Sequence, residues 1–434
     1  MKKYSKFKNT NIEWIGEIPE HWDIIRFKYI VSSQKGKVPK KLTDKNVSNS
    51  PVYLSMSYLR GNPDEKKFVL ESKDCVHVKT GDILLLWDGS EAGEFIKGKE
   101  GVLSSTMSKL DIDDDLNQSY IWYFLKTFEK ILKDFTNGMG IPHVDSSILE
   151  NSKIILPPLS EQIQISSYLN NKTSLIDKLI NNNKKLIKLL EEKRTALINK
   201  VITKGLDPNV KMKDSGIEWI GEIPEHWEVK KLKYLLEKND SGVWGEEPSD
   251  MSGVRVLRST EISINGKLIN IERAAYRQLS KEEKLKSKLQ KGDLLVTKSS
   301  GSKKHIGKTA LMDSVVESEP TYFSNFMQLL RTNNQLLPRF CHLFLNSDIT
   351  RYQYNLLANT TTGLANLNRR HFDNLTISVP PISEQIQISS YLDNKTSLID
   401  KAIIKAKEEN LMLKEYRQSL ISNVITGKID VRNN

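Results

Sequence analysis

The ten residues SEQIQISSYL at positions 160–169 recur unchanged at 383–392. After one variable position each copy continues NKTSLIDK, at 171–178 and 394–401. Two matching runs of this length, 223 residues apart, make the chain an internal duplication. Each copy also opens a long helical pattern. Ser160 and Ser383 follow Pro-Pro pairs, Pro157-Pro158 and Pro380-Pro381, and Glu and Gln occupy the first turn, residues that suit a helix N-terminus. Apolar residues then recur at Leu169, Ile176, Leu179, Leu186, Leu190, Leu197 and Val201. The second copy has Leu392, Ile399, Ala402, Ala406, Leu413, Leu420 and Val424. Neither stretch contains Gly or Pro before Thr203 or Thr426. An unbroken helix of this kind is about 65 Å long, at about 1.5 Å per residue. Each stripe supplies the apolar surface the other must cover, which predicts a two-helix coiled coil. Asn183 falls on the first seam, where it either pins register or is solvated.

A second repeat frames the first. IEWIGEIPEHW occupies 12–22 and, 205 residues later, 217–227, and its Trp and Pro read as a segment that docks on neighbouring structure. Each half thus has near-identical ends and a divergent middle. The expected organisation is a docking segment (1–22), a first globular domain (23–156), a long helix (157–204), a connector with the repeated docking segment (205–227), a second globular domain (228–379), and a long helix with a C-terminal tail (380–434). The middles read as α+β. Strand patterns fall at 52–59, 82–86 and 153–156 in the first, and at 255–262, 266–269, 291–297 and 375–379 in the second. Amphipathic helices fall at 120–133 and 338–345. Gly81-Asp82 and Gly292-Asp293 head corresponding strands.

The chain has 434 residues, enough for two or three domains, and a net charge of +11, which favours an anionic partner such as nucleic acid. Cys75 and Cys341, one in each half, support neither a disulfide framework nor a zinc site. No stretch has the apolar length of a signal or a membrane span, so a soluble cytoplasmic protein is expected.

Two motifs mimic catalytic sites. GSKKHIGKT at 301–309 approximates a phosphate-binding loop, but five residues separate its glycines where four are needed, and a strand pattern follows. A basic hairpin is expected there. Asp64, Glu71 and Lys73 approximate the pattern of a Mg²⁺-dependent nuclease, in which carboxylates converge on the metal, but the second half has no equivalent. The seven His show no ligand spacing. A duplicated basic chain without a catalytic set points to binding.

Reading of base edges requires Arg, Lys, Asn, Ser and Thr on hairpins or helices that fit a groove. The second middle offers Arg255, Arg258 and Thr260 on a strand, Lys298, Ser300, Lys303 and Lys304 in a basic loop, and Thr361, Asn366, Asn368, Arg369 and Arg370 further on. The first offers Ser55, Tyr58 and Arg60, the turn carrying Lys97 and Lys99, and Asn137 with His143. Some of these would contact phosphates rather than bases.

With its duplicated IEWIGEIPEHW segments, its GD-headed strands and its PPLSEQIQISSYL and PPISEQIQISSYL helix starts, the whole chain resembles the specificity subunits of type I restriction–modification systems. The resemblance implies two α/β target-recognition domains, each followed by a long helix, the two helices forming an antiparallel coiled coil that sets the gap in a bipartite DNA target. It also implies a non-catalytic chain that binds double-stranded DNA, two methyltransferase subunits and restriction subunits. S-adenosylmethionine, ATP and Mg²⁺ would then belong to the partner subunits, with none bound by this chain. The other readings are the Mg²⁺-dependent nuclease and a coiled-coil adaptor that does not touch DNA.

Overall fold

The computed structural model describes residues 3–47, 50–136, 142–248, 253–302, 305–313, 315–357, 359–361 and 364–432. The chain forms two compact units, Met1–Asn183 with Glu408–Asn434, and Lys184–Lys407. The first long helix, Leu159–Lys204, and the second, Ile382–Ile425, each contribute one part to each unit.

In the first unit a four-stranded antiparallel sheet has the order Phe95–Lys97, Ile83–Leu86, Met107–Ile112, Val31–Lys35. The central strand Ile83–Leu86 is buried throughout, as expected of a strand covered on both faces. The Gly81-Asp82 turn that heads it is built locally. Gly81 takes a positive φ of 99°, and the Asp82 carboxylate accepts the Lys79 N–H at 2.8 Å. Gly292 and Asp293 repeat this in the second unit, with φ 89° and a 2.7 Å bond from Gln290 N–H. There the sheet order is Leu236–Ser241, Met327–Thr332, Leu294–Thr297, Thr309–Leu311. Helices Gln118–Asp134 and Pro338–Leu345 bury their apolar faces in the respective cores.

Three strand expectations are corrected. Residues 52–59 form a strand only over Val52–Leu54. Ser55 Oγ then accepts the Tyr58 N–H at 3.1 Å and starts the short helix Met56–Leu59. In the second unit Val254–Leu257 likewise gives way to the 3₁₀ turn Ser259–Glu261. Gly266–Ile269 is not a strand, and only Leu268 makes a bridge, with Ile262.

The repeated sequences account for how each unit closes. Glu161 of SEQIQ accepts bonds from Trp22 Nε1 and Tyr4 OH at 3.1 Å each and lies 2.6 Å from His21 Nε2. In the second unit Glu384 meets Trp227 Nε1 at 3.0 Å and His226 at 2.5 Å. The EHW of one repeat therefore docks on the glutamate of the other, with both indoles fully buried. The buried Gln162 bonds Asn117 N–H (3.0 Å) and Pro157 O (2.9 Å). Gln385 does the same with Leu337 N–H (2.7 Å) and Pro380 O (2.9 Å).

In each unit the two long helices pair antiparallel. Asp177 meets Arg417 in the first and Arg194 meets Asp400 in the second, both at 3.0 Å. The seam in the first helix runs through Leu169, Thr173, Ile176 and Ile180, in steps of three and four. Leu179 and Leu186, expected on it, are about half exposed because each stands one position off that heptad line. Asn183 does lie on the seam, with its Nδ2 buried and without a hydrogen-bond partner among the described residues.

Candidate nucleic-acid interface

The central strand of each four-stranded sheet ends in a short polar segment that reaches a distant loop. In the first unit Ile83–Leu86 leads to Trp87 and Asp88, and Asp88 forms an isolated antiparallel bridge with His143. His143 Nδ1 lies 2.6 Å from the carboxylate, and Lys35 Nζ lies 3.0 Å from its other oxygen and 5.9 Å above the Trp87 ring. Partial burial works to raise the Asp88 pKa, but the hydrogen bonds from His143 and Lys35 outweigh it and hold the carboxyl below its ordinary value. The group stays an acceptor. The His143 ring is 54% exposed, so this pair faces solvent.

The second unit builds the same feature from different residues. Leu294–Thr297 leads to Lys298 and to Ser299–Ser300, which pairs antiparallel with Leu364–Asn366, Ser299 opposite Asn366. Ser299 Oγ lies 2.6 Å from Asn366 Oδ1. Asn366 borders two open clefts. One, of about 650 Å³, is lined by Trp244, Arg258, Thr260, Ser300 and Phe326 among others. The other, of about 370 Å³, is lined by Ser241, Lys286, Lys298, Asn368 and Arg369. Lys298 donates to Ser241 Oγ, and burial together with nearby Lys286 pulls its pKa below the ordinary value.

The structure thus gathers Arg258, Thr260, Lys298, Ser300, Asn366, Asn368 and Arg369 around adjoining clefts. Arg258 is held by Glu261 (2.8 Å) and Arg273 O (3.0 Å), and Thr260 Oγ1 bonds Glu261 at 2.7 Å. Asn368 caps the helix Arg369–Asp373 by accepting the His371 N–H at 3.1 Å. Arg369 is 66% exposed, with long contacts to Asp240 (3.8 Å) and Asp373 (3.9 Å), and Arg370 is exposed. Thr361 ends the strand Asn359–Thr361.

Arg255 is corrected. It lies on the strand Val254–Leu257 but is only 8% exposed. Its guanidinium pairs with Glu319 at 3.0 Å and bonds Thr321 Oγ1 and Val315 O. Those partners use the donors that a base contact would need, so Arg255 anchors a loop instead.

In the first unit the expected residues separate. Lys97 ends its strand opposite Ile83, the far end of the central strand from Asp88, and lies 5.3 Å above the Trp122 ring. Lys99 sits 4.8 Å above Tyr58, and Arg60 pairs with Glu94. Ser55 is engaged as the helix cap described above. Asn137, Lys303 and Lys304 lie outside the described residues.

Lys35, Trp87, Asp88, Trp244 and Phe326 (57% exposed) belong to the sites and were not read from sequence. Aligning GDILLLWDGS (81–90) with GDLLVTKSSG (292–301) on their shared GD places Asp88 on Ser299, a signal that gave the position of each strand-end residue but not its partner.

The two decoys resolve as turns. Residues 301–302 and 305–308 lie between the antiparallel strands Leu294–Thr297 and Thr309–Leu311, and the buried Lys308 donates to Ser259 O and Ile262 O (2.8 and 2.6 Å). Asp64 lies in the exposed turn Pro63–Glu65, and Glu71 pairs with Lys41 at 3.2 Å. Among the described residues no cluster of three His, Cys, Asp or Glu is placed to hold a metal, and no helix is long and apolar enough to cross a membrane.

Comparison with known proteins gives one family. The type I restriction modification DNA specificity domain matches twice, at residues 19–192 and 224–411. The type I restriction enzyme MjaVIII specificity subunit of Methanocaldococcus jannaschii is 32% identical over 96% of this chain and 95% of its own length. The EcoBI specificity subunit of Escherichia coli is 20% identical over 80% of this chain and 73% of its own. Among solved structures, a chain from a study of complex assembly and conformational transition in a type I system superposes with a TM-score of 0.70 at 13% identity, covering 95% of this chain and 99% of that one.

Proposed function

The chain belongs to the type I restriction–modification DNA specificity family, and from that membership we propose that it reads a bipartite DNA target, one half-site per divergent domain. It is the non-catalytic specificity subunit, and the chemistry belongs to partner subunits. The observation that carries this reading is the pair of polar sheet ends. Two copies of one scaffold present Asp88–His143 and Ser299–Asn366 at the same place, as an asymmetric target read by a duplicated protein requires. The exposed arginines Arg369 and Arg370 would hold phosphates beside the second site.

Two methyltransferase subunits would dock on the two repeated frames. Ile163 and Leu175, with their repeat equivalents Ile386 and Leu398, are about half exposed. Their own units leave these apolar side chains uncovered, yet they are identical in both copies, which favours two equivalent partner surfaces. S-adenosylmethionine, ATP and Mg²⁺ would be held by the methyltransferase and restriction subunits.

The test is a methylome. The chain is co-expressed with a cognate methyltransferase subunit in a methylation-free host, and modified adenines are mapped genome-wide. One bipartite motif, lost when this chain is omitted, is the expected result. A stable complex that leaves no new methylation would favour the adaptor reading.

A further inference from the structure

We infer that the bridged pair at the end of each central strand, Asp88–His143 in the first unit and Ser299–Asn366 in the second, decides one base pair of its own half-site. This rests on the specificity role proposed above.

The two pairs occupy one structural position. Asn366 stands 223 residues after His143, the offset of the long-helix repeat, and each faces its partner across an antiparallel bridge at the end of the same strand. The frame beside them is kept. Gly36 and Gly242 each lie where a Cβ would strike the backbone of the neighbouring strand end, at Ser104 O (2.1 Å) and Phe323 O (2.3 Å). A lysine amine is kept as well, but from the opposite strand. Lys35 approaches Trp87 in the first unit. In the second, Lys298 replaces that tryptophan and reaches Ser241, which replaces the lysine. Backbone and positive charge are preserved while the chemistry of the exposed pair changes.

That change is one of hydrogen-bonding sense. Asp88 is an acceptor that faces His143 Nδ1, and Nε2 of that ring, when it carries no proton, is a second acceptor. Acceptors suit a base amino group, adenine N6 or cytosine N4. In the second unit the Ser299 hydroxyl donates to Asn366 Oδ1, leaving the Asn366 amide N–H groups to donate outward. Donors suit guanine O6 and N7 or thymine O4.

The test exchanges the pairs in the full chain assembled with its methyltransferase subunit. One variant carries Asp88→Ser with His143→Asn, and the reciprocal carries Ser299→Asp with Asn366→His. The expected methylome of each shows preference at one base pair of one half-site shifted by about tenfold or more, with the other half-site and the gap unchanged. A motif identical to wild type in both variants overturns the inference. If an exchange abolishes methylation, the assembled complex is used to select from duplexes randomised in one half-site at a time. Lost preference confined to the altered half supports the inference, whereas unchanged preference, or loss in both halves, overturns it. Failure of the unmodified chain to direct any methylation would instead sink the specificity role itself.

Discussion

Asp177 and Arg417 meet at 3.0 Å across the paired long helices of the first unit, although 240 residues separate them in the chain. Their repeat equivalents, Asp400 and Arg194, meet at the same distance in the second unit. One duplicated helix, paired with its own copy in antiparallel fashion, thus generates the same ion pair twice.

The two pairs differ in weight. Asp177 and Arg417 are 49% and 34% exposed, so screening limits the Asp177→Ala loss to about 0.5 kcal/mol. Asp400 is 21% exposed and also binds Lys267 at 3.0 Å. Its replacement by Ala leaves two cations without a partner and is expected to cost about 1–2 kcal/mol. Urea midpoints of the two variants check the order, and an equal loss would refute it.

The docking glutamate of the first unit should matter more than either aspartate. The Glu161 side chain is only 10% exposed and serves Tyr4, Trp22 and His21. Glu161→Ala strands buried donors and is expected to cost about 2–4 kcal/mol. Glu384, 32% exposed with two such partners, should cost about half as much. Thermal unfolding of the two single variants gives the comparison.

Gly427 and Gly205 end the two long helices with positive φ of 71° each. A Cβ on Gly427 would come within 2.3 Å of Pro19, but one on Gly205 would stop at 3.3 Å from Trp227. Gly427→Ala should therefore lose about 2–4 kcal/mol, combining left-handed strain with a clash, and Gly205→Ala about 1–2. Similar melting temperatures for the two would contradict this.

His342 carries a pH dependence. Burial, reinforced by Arg339 beside it, lowers its pKa from 6.5 to about 4, while bonding to Gly266 O and the charge of Asp393 work the other way. Between these values the unfolded chain binds the proton and the folded chain does not. The contribution is therefore complete above about pH 6.5 and lost as pH falls toward 4, at most about 3 kcal/mol. His342→Gln should remove this dependence, so that in urea unfolding the wild-type minus variant difference falls as pH drops from 6.5 toward 4; a difference constant across that range would refute it.

Phosphate and base contacts should separate by salt. Replacing Arg369 or Arg370 with Ala should weaken binding of the assembled complex to all sequences and reduce the slope of log K against log salt by about one. Arg258→Ala, at the aromatic cleft, should instead lower preference for the specific site by about 1–3 kcal/mol. Salt titrations with specific and unrelated duplexes distinguish the two.

The order of amino acids alone determined the duplication, the extent of both long helices, the docking segments and the GD-headed strands. These are written in local periodicity, in caps, and in runs that repeat, all of which are one-dimensional signals. The heptad line was legible only approximately, since Leu179 and Ile180 are both apolar and only helix pairing selects Ile180 for the seam. The candidate sites were legible as residue types but not as groups. Asp88 and His143 are 55 residues apart, and Ser299 and Asn366 are 67 apart. Strand register brings each pair together, and register depends on pairing across the sheet rather than on anything near either residue. The same holds for Arg255, whose strand position was evident but whose direction was not. Thr321 and Glu319, more than 60 residues further on, draw its guanidinium inward.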